Sequence, residues 1–545
     1  MSDENHTGFE DDIDPVTLEI MRNQFESVAE EMGQVLITSS YSPNIKERRD
    51  CSTALFDAEG RLVAQAEHIP VHLGAMPAAV TTVLRYDPQP GDVFVLNDPF
   101  EGGTHLPDVT MVSPITIDDE ILGYAVSRAH HADVGGMTPG SMPAGAREIY
   151  QEGIRLPPVR LVNGGEVNDD VMNLLLANVR NPGERRADIR AQIAANERAE
   201  NRLGDLVSEH GHERVVAAFD AVMEYSHDRI SAELADLPDG TYTARDVMEG
   251  DGVVDDEIPI EVTVTVDGER IEVDFAGTAE QVAGNVNAPL AVAKSAVYFV
   301  IRCVTDPEIP PNQGCYDPIS VSVPDGSLLN PRPPAAVVGG NVETSQRVTD
   351  VVFTAFAEAA PDRVPAQGQG TMNNLTIGSR DGGEDGFTYY ETIAGGFGGR
   401  PTKDGMDGVQ VGMTNTLNTP VEALEAEYPL FVEEYGLRED SGGRGKHRGG
   451  LGVVRSVTVE ADATVSLLTE RRRVAPRGIA GGDDGEPGEN RIAGTVVPAK
   501  TTRDVPAGTT ITVATPGGGG HGLADERDPE EIERDRADGK MEWDE

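Results

Sequence analysis

Lysine is almost missing from this chain: of 44 basic residues only six are Lys, set against 94 acidic ones. The net charge of −50 leaves no electrostatic footing for nucleic acid, whose phosphates dominate such binding. Excess carboxylate with Arg in place of Lys fits adaptation to very high salt, where charges are screened within about 3 Å at 1 M. The sequence thus reads as one from a halophile. Long apolar runs are lacking too: none reaches the roughly 20 residues that a membrane span needs. The start, Met1 to His6, is acidic and without the basic-then-apolar pattern of a signal peptide. Cysteine is scarce, and Cys51, Cys303 and Cys315 show no CxxC spacing, which excludes a zinc knuckle and a disulfide framework. Together these absences predict a cytoplasmic enzyme or subunit.

Two chemical motifs are also lacking. No GxxxxGK[ST] string marks a phosphate-binding loop, and no GxSxG marks a nucleophile elbow. The run from Gly443 to Gly450 has glycines and Lys446 at the wrong spacing, and Pro516 to Gly522 reads as a turn.

What is present is a large globular chain. Its 545 residues can bury a sizeable core and should form two or more subdomains. Asp14 and Pro15 are a capping residue and a first-turn proline, followed by Leu18, Met21, Phe25, Val28, Met32 and Val35 at helical spacing. That predicts a helix with one core face, ending near the breaker 39–43. Strand patterns follow at 53–57, 93–96 and 124–128, and residues 184–237 read as mostly helical. After Pro238-Asp239-Gly240 the texture changes to β-branched residues and glycine, with a hairpin signal at Asp267-Gly268. The expected class is mixed α/β (α+β). We divide the chain into a disordered acidic N-terminus (1–13), a helical and Gly-rich metal-binding region (14–240), a β-rich region (241–522) and a frayed acidic tail (523–545).

The chain has only 11 His, yet His105, Asp108, His130, His131 and Asp133 fall within 29 residues, flanked by glycines. Such a set of imidazoles and carboxylates suits a divalent ion that activates water or a carbonyl; a polar, hydrogen-bonded loop pair is the bland alternative. His105 and Asp108 are three apart, so a short turn can bring both to one centre. His130 and His131 point to opposite sides of an extended backbone, so one is expected on the metal and the other free to bind substrate or shuttle a proton. Asp133 could orient an imidazole from behind. A further carboxylate could come from Glu47 or Asp50, and His68 and His72, four apart with Pro70 between, read as pocket residues at best.

These strings resemble the hydantoinase B family. The resemblance rests on 44–50 (NIKERRD), 97–108 (NDPFEGGTHLPD) and 129–136 (AHHADVGG). It continues through 149–158, Asp274 to Gly277, Asn312 to Cys315, Gly339 to Gln346, and 440–450, in order over about residues 14–522. It implies a metal centre (Zn, Mn or Fe) on Glu47, His105, Asp108 and His130, with Glu47 and its neighbour Asp50 as competing candidates. His131 and Asp133 are then left to move protons. It also implies a B-type component of a hetero-oligomer with an A-type subunit that binds ATP. That partner would activate a small cyclic amide, a lactam or hydantoin, for ring opening by a metal-activated water at the B site. A subunit of an acetone- or acetophenone-type carboxylase is the rival reading, and a non-catalytic subunit with a structural metal is the third.

Overall fold

A computed structural model describes residues 13–380 and 386–543. The N-terminal stretch expected to be disordered lies, through residue 12, outside the described residues. The predicted first helix is α1, Pro15–Ser39, and its Asp14 side chain accepts from the amides of Val16 and Thr17. This satisfies two donors that the first helical turn would otherwise leave open. Met21, Phe25, Val28, Met32 and Leu36 form its buried stripe.

That stripe packs on a seven-stranded antiparallel sheet of β1 (Cys51–Asp57), β2 (Leu62–Glu67), β3 (Val93–Leu96), β4 (Asp108–Ile117), β5 (Glu120–His130), β6 (Val159–Asn163) and β7 (Glu166–Val167). Its spatial order is β2-β1-β5-β4-β3-β6-β7. Alternate side chains face opposite ways. Leu55, Val63 and Ala125 meet α1 together with Ala195 and Leu203 of a long helix α2, Pro182–His210, and Phe219 of α3, His212–Ala235. Phe56, Leu62, Phe94 and Val126 face the other way, into a core shared with the C-terminal half. Burial of each such side chain contributes about 1.5–3 kcal/mol. With both faces covered, the sheet is the shared floor of the molecule.

The C-terminal half adds three sheets and two core helices. A four-stranded sheet runs Ile319–Ser322, Arg270–Asp274, Ile258–Asp267, Gly240–Met248, and its hairpin turns at the expected Asp267-Gly268. Helices Leu290–Val304 (α4) and Ser345–Ala359 (α5) pack into the shared core, and a single π-helical turn, Gly340–Thr344, leads into α5. The other two sheets pack face to face around Leu375, Val457, Val465, Leu467 and Val513. Beside them glycine backbones stack directly on one another. A Cβ on Gly449 would sit 1.8 Å from the Gly518 carbonyl oxygen, so only glycine fits there.

The C-terminal segment departs from expectation. Instead of fraying it forms a helix, Pro529–Ala537, capped by Asp528. Buried Asp535 accepts from Arg448 Nε at 3.0 Å and Arg527 Nη2 at 2.8 Å, and Met541 and Trp543 pack on Leu451. Ion pairs to arginines outside the helix, and two late apolar side chains, hold it where its composition predicted solvent. Among the described residues no helix is long and apolar enough to cross a membrane.

Candidate metal centre

β4 opens on Asp108 and β5 closes on His130, and the antiparallel register places these two residues directly opposite each other. Cross-strand partners project on the same face. The turn before β4 closes with the Asp108 amide donating to the His105 carbonyl at 3.1 Å, which folds the His105 ring back over the same point. His105 Nε2 lies 2.9 Å from Asp108 Oδ1, and His130 Nδ1 lies 3.2 Å from that same oxygen. One ligand atom from each of the three residues falls within 4.8 Å of the others, and all three side chains are buried.

The hydrogen bonding of this group is incomplete in a telling way. Neither ring nitrogen of His105 has a hydrogen-bond partner, and neither does Nε2 of His130. The 2.9 Å approach of His105 to Asp108 is off the line a hydrogen bond requires, the geometry of two donors converging on a third atom. Each unsatisfied buried group costs about 1–3 kcal/mol. His105 Nε2 and His130 Nδ1, converging on one carboxylate oxygen, fit a divalent cation, which would take up one lone pair from each ring. Protonation states agree. Burial pushes the His105 imidazole below its ordinary value, which keeps it neutral despite Asp108. Burial alone would raise Asp108, but the neighbouring imidazoles, His105 first and then His130 and His72, hold it well below the usual range.

The surrounding cavity is about 20 Å³, room for about one water-sized group. Asp50 lines it, and the Asp50 carbonyl accepts from the His130 amide at 3.0 Å. Glu47 does not line it; this residue ends the short turn Pro43–Lys46 and is half-exposed. His72, read from sequence as a pocket residue at best, has Nε2 3.6 Å from Asp108 Oδ2 and Nδ1 2.9 Å from Ser52 Oγ. Thr104 Oγ1 donates to Asp108 Oδ2 at 2.7 Å and Asn341 Nδ2 does so at 3.4 Å. Tyr390 stacks on the His130 ring at 4.6 Å with 14° between planes. Sequence reasoning did not find Asn341 or Tyr390, and no local pattern around either announces a metal site.

His131 and Asp133 are placed elsewhere. His131 turns to the other side of the chain, with Nε2 2.9 Å from Gln192 Oε1, in a small apolar-walled cavity beside Arg185 and Ile189. Asp133 accepts from the amides of Gly135, Gly140 and Arg180 and from the Arg180 guanidinium. Both side chains are occupied in holding the loop after β5, and neither lines the metal cavity. The proton-moving role expected for them does not fit this placement, because the strand end sends alternate side chains to opposite sides.

The hydantoinase B/oxoprolinase family model matches residues 14–524. The chain belongs to that family. It is 34% identical to the B component of a putative D-/L-hydantoinase from a Pseudomonas species, over 97% of this chain and 93% of the relative. It is 41% identical to 5-oxoprolinase 1 of Arabidopsis thaliana over 93% of this chain, but spans only 42% of that longer protein. Among solved structures it is similar to the ATP-dependent caprolactamase from Pseudomonas jessenii, with a TM-score of 0.91, 28% identity and coverage of 97% and 95% of the two chains.

Proposed function

We propose that this chain is the B component of an ATP-dependent cyclic amide hydrolase, working with an A-type subunit that binds ATP. The observation that carries the reading is the convergence of His105 Nε2, which has no hydrogen-bond partner, and His130 Nδ1 on one oxygen of buried Asp108. The relative named as one subunit of a hydantoinase supports the existence of a second, and the caprolactamase and 5-oxoprolinase names support a lactam as the substrate class.

His105, Asp108 and His130 hold a divalent ion, with Asp50 as the fourth candidate in place of Glu47. When bound, such an ion supplies Lewis acidity and lowers the pKa of water towards 7. The chain's own groups are already in the ligand-ready state, with a neutral imidazole on His105 and a carboxylate on Asp108. His72 is the one imidazole of the cavity outside this set, so it replaces His131 as the group that moves a proton. Ser52 fixes its ring through Nδ1 and leaves Nε2 facing Asp108. Amide resonance makes a lactam carbonyl a poor electrophile, and phosphorylation of its oxygen on the A-type subunit overcomes that before the ring reaches this site. A cavity of about 20 Å³ has to widen to admit a ring.

The test is co-expression with the A-type partner and an assay of ATP-dependent turnover on a lactam panel, in high salt, with and without bicarbonate. Ring opening that ignores bicarbonate and disappears in His105→Ala is expected. Dependence on bicarbonate would replace this reading with the carboxylase, and turnover retained in His105→Ala would sink the metal centre.

A further inference from the structure

The π-helical turn Gly340–Thr344 lies at the entry to α5 and is buried throughout. Such turns widen a helix by one residue and are frequent at functional sites, because they re-aim side chains that regular helix would hide. Here the turn aims two. Asn341 reaches Asp108 directly, with Nδ2 at 3.4 Å from Oδ2. Glu343 reaches the other side of the centre through a chain of contacts. Its Oε1 accepts from Asn374 Nδ2 at 2.8 Å, and Asn374 Oδ1 accepts from the Tyr390 hydroxyl at 2.8 Å. The Tyr390 ring lies flat on His130. All four side chains of this chain of contacts are at most 3% exposed.

Each link removes a freedom that His130 would otherwise keep. Its Nδ1 meets Asp108 Oδ1, but one such contact does not fix rotation of the imidazole about its own axis. The Tyr390 ring does, by covering one face. Tyr390 is pinned in turn by its hydroxyl and by the Arg48 guanidinium 5.6 Å above its ring centroid. Asn374 cannot swing away, because its Nδ2 also donates to the Leu468 carbonyl at 2.9 Å. Glu343 closes the chain and also accepts from the Met372 amide at 3.1 Å.

We propose that the π-turn is the outer support of the metal centre, with Glu343, Asn374 and Tyr390 as positioning residues that hold His130 in its ligand orientation. This rests on the metal-centre reading above. Burial pushes the Glu343 carboxyl up to about 8, so near neutral pH it keeps its proton and glutamine is its isostere. The support works by geometry, through an acceptor at Oε1.

The experiment measures Zn²⁺ and Mn²⁺ affinity of the full chain by chelator competition, alongside melting of the metal-free protein. Tyr390→Phe, which keeps the stack and loses the hydroxyl, and Glu343→Leu, which removes the acceptor, should each weaken binding about 10- to 100-fold, the range seen when outer-shell partners of metal ligands are lost. Glu343→Gln should restore binding to near the wild-type value. Wild-type affinity in both Tyr390→Phe and Glu343→Leu, even with lower melting temperatures, would make Glu343 a mere fold staple and overturn the proposal. Tyr390→Phe differs by one hydroxyl and keeps the test open if Glu343→Leu does not fold. A wild-type chain that binds neither ion would instead overturn the metal centre itself.

Discussion

Two small cavities flank the end of β5, one lined by His130 and the other by His131. Both are buried, both combine imidazole with carboxylate, and composition cannot tell them apart. Their hydrogen bonding does. His131 and Asp133 have their partners, Gln192 on the ring and the backbone amides with Arg180 on the carboxylate. Around His130, two ring nitrogens converge on one Asp108 oxygen, His105 Nε2 without a hydrogen-bond partner and His130 Nδ1 at 3.2 Å, and the far nitrogen of each ring is left without a partner. A fold keeps satisfied polar groups at little cost, whereas orphaned ones cost about 1–3 kcal/mol each and persist when something else occupies them. The difference between these two histidines is therefore one of convergence with a second imidazole on a carboxylate oxygen, not of burial.

The sharpest way to break this contrast is to remove one member from each side. His105→Ala and Asp108→Asn should abolish metal retention through dialysis, measured by elemental analysis, while His131→Gln should keep it. Equal loss from His131→Gln would erase the distinction. A smaller effect separates the two upstream carboxylates. Asp50→Asn should weaken metal binding about tenfold or more, and Glu47→Gln should leave it unchanged, by the same chelator titration; the reverse order would return Glu47 to the centre.

A further contrast lies in pH. Burial drives the His131 imidazole down to about 4, with Asp188 opposing and Arg185 adding to the shift. A base whose folded value is depressed supports the fold above its ordinary value of 6.5 and loses that support as the pH falls towards about 4. At about 1.4 kcal/mol per unit this is at most roughly 3 kcal/mol. Urea midpoints of wild type and His131→Gln should converge between pH 7 and pH 4, and parallel curves would show that His131 does not carry the effect.

How much of this was legible in the sequence depends on how local the determinant is. The stripe of α1, the Asp267-Gly268 turn and the grouping of His105, Asp108 and His130 all lie within short stretches, where spacing speaks directly to geometry. That only one of His130 and His131 faces the centre followed from strand alternation, while the choice of His130 came from the family resemblance. Asn341 could not be read, since 233 residues separate it from Asp108 and only tertiary packing joins them. The same holds for Tyr390. The folded C-terminal segment was missed because Arg448 and Arg527, not an apolar stripe, anchor Asp535. Hydrophobic patterning is blind to a helix held by charge.

The walls of the metal cavity have a bearing on the order of synthesis. Its candidate ligands are all present once residue 130 has been made, but Asn341, Tyr390, Thr414 and Thr416 close it from much later in the chain. On a growing polypeptide the ligands wait, open to water and to any passing ion, until nearly three hundred further residues have emerged. An ion bound there would be selected after the walls arrive, so correct loading would belong to the finished fold rather than to the segment that carries the candidate ligands.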